Sequence, residues 1–316
     1  MTPLTDEIRL FAGTSHIELA KEIAHYLGLS LGKLRVSRFT GGEIYARVEE
    51  NVRGQSIYII QTATERVNEE LMELLILLDA FKRSSAKSIA VVLPYFPYAR
   101  QDKKSASREP ISARLIADLL TTAGATRIIT MDLHSDQIQG FFTVPLDHLT
   151  AMPLFANYIK EKKLKDIVVV APDTGRARTA KKLGDRIGAE LAILHKRRPH
   201  QQEAEVMNVI GDVVGKTCII VDDMVDTAGT VSKAVETLRK VGAARDMYFV
   251  ATHPILSGPA VERMEGAGLT EVVLTNSIPI APLKRFDGLT ILSVASLLGE
   301  AIKRNFENRS ISSLFD

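Results

Sequence analysis

The sequence predicts an α/β fold in which mainly parallel sheets are flanked by helices. Short runs rich in β-branched residues alternate with amphipathic stretches along nearly all of the 316 residues. Several runs are apolar at every position, including residues 167–170 and 219–221. Such runs are typical of strands buried on both faces of a parallel sheet. The repeated strand–helix–strand order favours an open sheet with right-handed crossovers.

The predicted strands are short and follow one another along the whole chain. In order they cover residues 8–12, 34–39, 57–61, 89–93, 128–131, 167–171, 191–194, 218–221, 247–252, 271–274 and 290–293. Helices are predicted between the strands. One example covers residues 68–83, where Leu71, Leu74, Leu75 and Leu78 fall on one face of the helix. The other predicted helices cover residues 112–123, 151–163, 178–187, 230–241, 259–267 and 296–305.

Two domains are expected from the length, since a domain averages roughly 150 residues. A boundary is indicated near residues 144–152, where a proline and several polar residues follow a completed βα pattern. Each half also contains an apolar strand that ends in a short acidic motif, at 130–134 in the first half and at 171–173 and 221–223 in the second. This repetition predicts the duplication of one α/β unit.

The composition favours a cytoplasmic protein and gives no reason to expect nucleic acid or a membrane as a partner. Lys and Arg number 40 against 38 Asp and Glu, so the formal net charge is only +2. Cys218 is the single cysteine and cannot form an internal disulfide, which suits a reducing compartment. The N-terminus lacks the pattern of a signal peptide. The most apolar run, residues 71–81, is short and contains Glu73 and Asp79.

Residues 219–230 carry the clearest chemical signal. An apolar strand delivers Asp222 and Asp223 to the carboxyl end of a sheet, where ligands of open α/β folds bind. A turn of small and hydroxyl residues and a helix N-terminus follow, and such a turn favours a phosphate. The two carboxylates repel phosphate and suit sugar hydroxyls or a metal ion. The alternative is that Asp226 or Thr227 only caps the helix and the acids are solvated.

Four segments resemble known enzymes of sugar-phosphate metabolism. Residues 222–230 resemble the phosphoribosyl-diphosphate loop of type I phosphoribosyltransferases and ribose-phosphate diphosphokinases. Residues 131–142, 96–104 and 107–113 resemble the second of these families closely. The similarity extends from residues 38–39 to residues 312–315. The chain is identified by this resemblance as a member of the ribose-phosphate diphosphokinase family.

The resemblance implies two duplicated type I phosphoribosyltransferase-like domains, residues 1–149 and 150–295. A C-terminal segment of about residues 296–316 is expected to pack back on the first domain. The implied reaction converts ATP and D-ribose 5-phosphate to 5-phospho-α-D-ribose 1-diphosphate and AMP. The sugar hydroxyls would meet Asp222 and Asp223, and the 5-phosphate would lie on the loop that follows. The implied phosphate loop consists of Asp226, Thr227, Ala228, Gly229 and Thr230.

The resemblance also implies two magnesium ions, one held by His134 near ATP and one by Asp173 beside the ribose. From the residues alone, a histidine after a strand could equally be a hydrogen-bonded core residue, and Asp173 could belong to an ordinary turn. Imidazole is an unusual ligand for magnesium, so manganese could substitute. The chain departs from a frequent family form in one place, since Arg176 stands where a second glycine would follow Gly175.

Lys196 and Arg198 match the family's catalytic cations, on a loop that closes over the substrates. Lys196 would stabilise charge on the attacked phosphate and the departing oxygen, while Arg198 would orient the reacting groups at the ribose phosphate. Without the resemblance, this basic run would be interpreted as a solvated loop. The implied ATP-binding residues are Phe39, Gly41, Gly42, Glu43, Arg100 and Gln101. Many relatives carry Asp or Asn where Gly41 stands.

The resemblance further implies a homo-oligomer, commonly a hexamer, that is activated by phosphate and inhibited by ADP. The residues at the corresponding regulatory positions are Arg53, Ser85, Lys104, Arg108, Ser310, Ser312 and Phe315.

Two other functions compete with this one. A phosphoribosyltransferase would use the same loop but has no use for the ATP-side motifs. A non-catalytic regulatory subunit would not need to retain the cations and metal ligands.

Overall fold

The computed structural model describes residues 7–197 and 206–314. The chain divides into two compact units. Unit 1 contains Met1–Thr150, Ser277–Pro279 and Ser293–Asp316, and unit 2 contains Ala151–Asn276 and Ile280–Leu292. Each unit is built on its own parallel sheet flanked by helices, so the predicted fold class is confirmed.

Unit 1 has a five-stranded sheet with the order β1-β4-β5-β6-β7, and all of its neighbouring strands are parallel. A separate antiparallel pair, β2 and β3, lies between β1 and β4 in the chain. The strands are β1 Ile8–Ala12, β2 Leu34–Arg38, β3 Ile44–Val48, β4 Ser56–Ile60, β5 Ser88–Leu93, β6 Arg127–Met131 and β7 Leu146–Leu149. The helices are α1 Ile17–Leu27, α2 Val67–Arg83, α3 Ser112–Ala123 and, near the C-terminus, α8 Ala295–Phe306.

Unit 2 has a seven-stranded sheet with the order β10-β9-β8-β11-β12-β13-β14. Every neighbouring pair is parallel except β9 and β10. The strands are β8 Ile167–Ala171, β9 Glu190–Arg197, β10 Val206–Ile210, β11 Thr217–Val225, β12 Met247–Pro254, β13 Glu271–Thr275 and β14 Leu289–Leu292. The helices are α4 Met152–Glu161, α5 Ala177–Ile187, α6 Gly229–Lys240 and α7 Ala260–Gly266.

The predicted elements differ from the structure mainly where polar residues lie inside strands. Helix α1 and strands β3, β7 and β10 were not predicted. Helix α1 begins after His16, whose side chain accepts a hydrogen bond from the Leu19 amide, and ends at Gly28 in the left-handed conformation. His16 is an unusual N-cap residue, so the start of this helix lacks its ordinary sequence signal.

Both units bury an apolar core beneath the sheet. In unit 1 the largest fully buried side chains include Phe11, Phe81 and Phe96, and Phe11 packs against Phe81 with ring centroids 4.8 Å apart. In unit 2 the core gathers the apolar residues of β8, β11 and β12 together with one face of α6. Among the described residues, no helix combines the length and the hydropathy needed to cross a bilayer.

Cys218 in β11 offers a direct probe of this packing. Its side chain is completely buried, and burial raises the pKa of the thiol to about 12. Because the thiolate is the reactive form, we expect iodoacetamide to leave Cys218 unmodified in the folded protein at pH 8 and to alkylate it fully in guanidinium. Intact-mass spectrometry after timed quenching measures the extent of alkylation in the folded and in the unfolded protein. Stoichiometric alkylation of the folded protein would contradict the buried position of β11.

Candidate active site

The carboxyl ends of β8 and β11 bring the acidic motifs of unit 2 together. The two strands are parallel neighbours, with Val170 paired to Ile220, so the segments that follow them emerge at the same edge of the sheet. Asp173 lies two residues after β8 and begins a 3-10 turn, Thr174–Arg176. Its Oδ1 accepts a hydrogen bond of 3.1 Å from the Arg176 amide. The turn therefore has a fixed geometry beside β11.

Asp222 and Asp223 lie inside β11 and not in the turn after it. The strand was predicted to end at residue 221, but Asp222 still pairs with Ala251 of β12. The Asp223 amide also donates to Asp222 Oδ1 at 2.8 Å. The backbone of both acids is therefore held by the sheet before any ligand binds.

Arg176 is the cation that faces both carboxylates. Its Nε lies 3.2 Å from Asp222 Oδ1, and its Nη2 lies 3.1 Å from Asp223 Oδ2. The three side chains are only 13%, 16% and 6% exposed. Apart from the departure from the family pattern at Arg176, no sequence pattern predicts this contact, because the partners are more than 40 residues apart in the chain.

The environment of Asp222 disfavours its charge. Burial raises the pKa of Asp222 well above its usual range, and the neighbouring Asp223 carboxylate raises this pKa further. The Arg176 guanidinium acts in the opposite direction without cancelling the rise. The pair of acids is thus the electrostatically costly feature of unit 2.

The loop after β11 leads into α6 without a side-chain cap. Ala228 is the N-cap residue, adopts the left-handed conformation with φ 57° and makes no side-chain cap bond. The alternative that Asp226 or Thr227 caps this helix is therefore wrong. The first amides of a helix have no partner within the helix. Such an N-terminus favours an anion.

Neighbouring donors hold the carbonyl groups of this loop. The Leu256 amide donates to the Val225 carbonyl at 3.0 Å, and the Ser257 amide donates to that of Asp226 at 2.9 Å. Arg263 Nη1 donates to the Thr227 carbonyl at 3.0 Å. Sequence reasoning did not identify Arg263, which lies 36 residues away from Thr227. These bonds direct the peptide carbonyls toward the protein and fix the loop backbone.

Lys196, one of the two predicted catalytic cations, lies near the end of a longer strand than expected. Strand β9 continues to Arg197 instead of ending at residue 194, and Lys196 pairs with Met207 of the antiparallel β10. The backbone of Lys196 is therefore part of a β-ribbon, not of an irregular loop. Arg198 lies outside the described residues.

In unit 1, His134 follows β6 in a segment tied to β7. The Asp132 carboxylate accepts a hydrogen bond of 2.8 Å from the Thr150 hydroxyl, and the Leu133 amide donates to His148 Nε2 at 2.9 Å. His148 had no partner that sequence reasoning could identify. Asp132 itself has a positive φ of 37°. His148 in β7 and Thr150 directly after it thus hold the backbone that leads into His134.

The predicted ATP-binding residues occupy two places in unit 1. Arg100 and Gln101 follow β5, and a hydrogen bond of 2.7 Å from Gln137 to Asp102 connects this segment to the one that contains His134. Phe39, Gly41, Gly42 and Glu43 form the turn between β2 and β3.

That turn exposes an aromatic ring beside open space. Phe39 is 58% exposed, and its ring meets Tyr45 edge-on at 5.8 Å. Gly42 has a φ of 90°, which favours glycine, and a side chain added at Gly41 would meet no atom within 4 Å. Phe39 therefore offers a face on which a planar ring could stack.

The predicted metal ligands, His134 and Asp173, lie in different units. Within residues 7–197 and 206–314, no group of three or more His, Cys, Asp or Glu side chains is arranged to hold a metal ion. Magnesium commonly uses one or two carboxylates together with substrate phosphates and water. Single ligands such as Asp173 therefore fit a cation that is bound jointly with a phosphorylated substrate.

The predicted regulatory residues that the structure describes all lie in unit 1. The Gly54 amide donates to the Ser85 carbonyl at 2.9 Å, which places the turn containing Arg53 against that of Ser85. Lys104 and Arg108 are exposed in the segment before α3. Ser310 and Ser312 belong to the C-terminal turn, where Arg304 donates to the Ser310 carbonyl. Phe315 lies outside the described residues.

Comparisons with known proteins cover the whole chain. A family model described as the N-terminal domain of ribose phosphate pyrophosphokinase matches residues 8–124, and one described as the phosphoribosyl synthetase-associated domain matches residues 198–316. The chain is 52% identical to the ribose-phosphate pyrophosphokinase of Bacillus caldolyticus over 100% of both chains. It is 50% identical to that of Corynebacterium ammoniagenes over 99% of this chain and 98% of the relative.

A solved structure agrees with these matches. The crystal structure of phosphoribosylpyrophosphate synthetase from Mycobacterium smegmatis superimposes with a TM-score of 0.91 at 49% identity. It covers 96% of this chain and 100% of that chain. The shared architecture therefore includes both units.

The raised pKa of Asp222 predicts that the parent protein and an Asp222→Asn variant differ in stability, and that this difference depends on pH. The pKa of Asp222 is higher in the folded than in the unfolded protein, so ionisation of Asp222 costs the fold stability as pH rises through this elevated range. We expect Asp222→Asn, which leaves a one-to-one Arg176–Asp223 pair, to raise Tm by about 2–4 °C at pH 8 and by less at pH 5.

Differential scanning fluorimetry in EDTA at both pH values measures the difference. Asp185→Asn on the exposed face of α5 is the matched control and should give no pH-dependent gain. A lower Tm for Asp222→Asn at pH 8 would mean that the ion pair outweighs the repulsion.

Proposed function

The chain belongs to the ribose-phosphate pyrophosphokinase family, and we propose how its own residues divide the work of that reaction. The enzyme transfers the β,γ-diphosphoryl group of ATP to the C1 hydroxyl of D-ribose 5-phosphate, giving 5-phospho-α-D-ribose 1-diphosphate and AMP. The observation that carries this conclusion is the match to a ribose-phosphate pyrophosphokinase over the full length of both chains. The product supplies nucleotide biosynthesis.

Unit 2 binds ribose 5-phosphate in this proposal. Asp222 and Asp223 accept hydrogen bonds from the ribose hydroxyls, and the 5-phosphate lies against the amides of Asp226–Thr230. Two features support this division. The acids near the end of β11 are followed closely by the N-terminus of α6, whose N-cap residue Ala228 has no capping side chain, and the loop carbonyls are already bonded to other groups. Carboxylates therefore meet hydroxyls, and amides meet the anion.

Unit 1 binds ATP. Phe39 stacks on the adenine ring, Glu43 and the backbone of Gly41 and Gly42 hydrogen-bond its edge, and Arg100 and Gln101 contact the rest of the nucleotide. The exposure of Phe39 supports this role, because it leaves a face of the ring accessible for stacking. Arginine also offers a planar fork that suits phosphate.

Magnesium is the cofactor we propose, with manganese as a substitute. His134 would hold one ion near the ATP phosphates, and Asp173 would hold a second beside the ribose. When bound, the ions offset the negative charge of the phosphate oxygens, which is the general need of phosphoryl transfer. The fixed turn after β8 keeps the Asp173 carboxylate in place for this task.

The sugar hydroxyl is the nucleophile, so no residue forms a covalent intermediate. The C1 oxygen attacks the β-phosphorus, the bond from that phosphorus to the bridging oxygen of the α-phosphate breaks, and AMP leaves. Lys196 stabilises the charge that grows on the attacked group and the leaving oxygen, and Arg198 orients the ribose phosphate. Positioning and electrostatics supply most of the rate.

The two competing functions are less consistent with these features. A phosphoribosyltransferase would not need the ATP-side residues, and the full-length relatives are pyrophosphokinases. A regulatory subunit would not need to keep Lys196, His134 and Asp173.

We further propose a cytoplasmic homo-oligomer, a hexamer in the form the family suggests. Its regulatory site would use Arg53, Ser85, Lys104, Arg108, Ser310, Ser312 and Phe315 for activation by phosphate and inhibition by ADP.

The reaction itself predicts the nucleotide product. Purified protein with magnesium, ATP and ribose 5-phosphate should release AMP and no ADP, and AMP release should cease when ribose 5-phosphate is omitted. Ion-pair chromatography of quenched samples measures both nucleotides. Formation of ADP together with a ribose bisphosphate would assign the protein a different phosphoryl transfer.

Lys196 is expected to act on the transition state and not on ATP binding. We expect Lys196→Ala to lower turnover by about 10²–10⁴-fold, because an electrostatic contact to the transferring group is lost, while the Kd for ATP changes little. Arg197→Ala is the matched control, since Arg197 is the cation next to Lys196 and has no assigned role. Initial rates and equilibrium ATP binding measure the two effects. Near-normal turnover of Lys196→Ala would remove Lys196 from the mechanism.

A further inference from the structure

We propose that Arg176 is a positioning residue for the sugar, because its guanidinium holds Asp222 and Asp223 in the orientation in which they accept the ribose hydroxyls. The inference rests on the proposed function of these two acids. It assigns a task to a residue that stands where the frequent family form has glycine. It also identifies Arg176 as a specificity determinant for the sugar substrate, and not for ATP.

Arg176 connects three acids at the ends of two neighbouring strands. Its amide is anchored by Asp173, through Oδ1 at 3.1 Å and the main-chain carbonyl at 3.3 Å. Its guanidinium reaches across to Asp222 Oδ1 at 3.2 Å and to Asp223 Oδ2 at 3.1 Å. The turn after β8 and the end of β11 are therefore joined by one side chain. Movement of either carboxylate would break a contact of this side chain.

The burial of this cluster makes the contacts strong. Arg176 is 13% exposed, and Asp223 is 6% exposed, so water competes weakly for the charges. Asp222 and Asp223 are adjacent in sequence and would repel each other without a cation between them. The planar guanidinium presents separate N–H groups to each carboxylate, which a lysine ammonium cannot match in geometry. Arg176 thus determines where both acids lie relative to the sugar.

The position of Arg176 differs from that of a substrate contact. Nε and Nη2 both point to carboxylates of the protein, so Arg176 acts on the sugar through Asp222 and Asp223. Loss of the guanidinium should therefore weaken sugar binding more than the chemical step. ATP binding should change little, because none of the residues proposed to bind ATP belongs to the cluster of Arg176, Asp222 and Asp223.

Steady-state kinetics of Arg176→Met tests this inference. The change removes the charge and keeps an unbranched apolar stem. We expect the KM for ribose 5-phosphate to rise about tenfold or more, as for a lost hydrogen bond to a charged group, with kcat and the KM for ATP within about twofold. Arg176→Lys should give an intermediate KM, because an ammonium can still pair with one carboxylate.

Two comparisons separate positioning from a general structural role. Lys181→Met removes an exposed cation that pairs with Asp185 on the same helix, and it should leave all constants unchanged. In an Asp223→Asn background, Arg176→Met should raise the KM for ribose 5-phosphate by less than it does in the parent protein, since the two residues act as a unit. If the effects of the two substitutions on this KM were fully additive, they would contradict an action of Arg176 through Asp223.

An unchanged KM for ribose 5-phosphate in Arg176→Met would overturn the inference, and so would an equal effect on both substrates. If Arg176→Met does not fold, as judged by its thermal transition, the KM of Arg176→Lys for ribose 5-phosphate is measured instead. An unchanged KM in that variant would overturn the inference in the same way. Failure of the proposed function is distinguishable, because the parent protein would then release no AMP that depends on ribose 5-phosphate. An active parent with an unaffected Arg176→Met variant would refute only the role of Arg176.

Discussion

The parallel pairing of β8 with β11 is the constraint on which the candidate site of unit 2 depends. This register brings the turn that contains Asp173 beside Asp222 and Asp223, so three acids share one edge of the sheet. A buried cluster of like charges is unfavourable unless a cation accompanies it. Arg176 supplies that cation from the protein itself, at distances of 3.1 and 3.2 Å. The geometry of the acids is therefore a consequence of strand order.

The same strand separates two kinds of recognition along its length. Asp222 and Asp223 still belong to β11, where sheet pairing fixes their backbone. A few residues later, Ala228 turns the chain into α6 without capping it. Carboxylates suited to hydroxyls and amides suited to an anion thus lie within one continuous segment. A sugar that carries a phosphate several atoms from its ring hydroxyls matches this order of chemistry.

The sequence predicts the fold class well because buried parallel strands leave a strong apolar pattern, as in Ile167–Ala171. It predicts strand ends poorly where polar side chains continue a strand. Periodicity predicted that β11 and β9 end at Val221 and Leu194, although sheet pairing continues to Val225 and Arg197. The contacts of Arg176, Arg263 and His148 were also missed, because they join residues that are distant in sequence. For the site residues, the resemblance indicated identities, whereas the hydrogen bonds that hold them are visible only in three dimensions.

A crystal structure with ribose 5-phosphate and magnesium tests whether this edge of unit 2 binds the sugar. The sugar phosphate should lie on the amides of Asp226–Thr230, its hydroxyls should contact Asp222 and Asp223, and the Arg176 ion pairs should persist. Ribose 5-phosphate bound at another place, with this loop and these acids unoccupied at saturating sugar, would rule out this site.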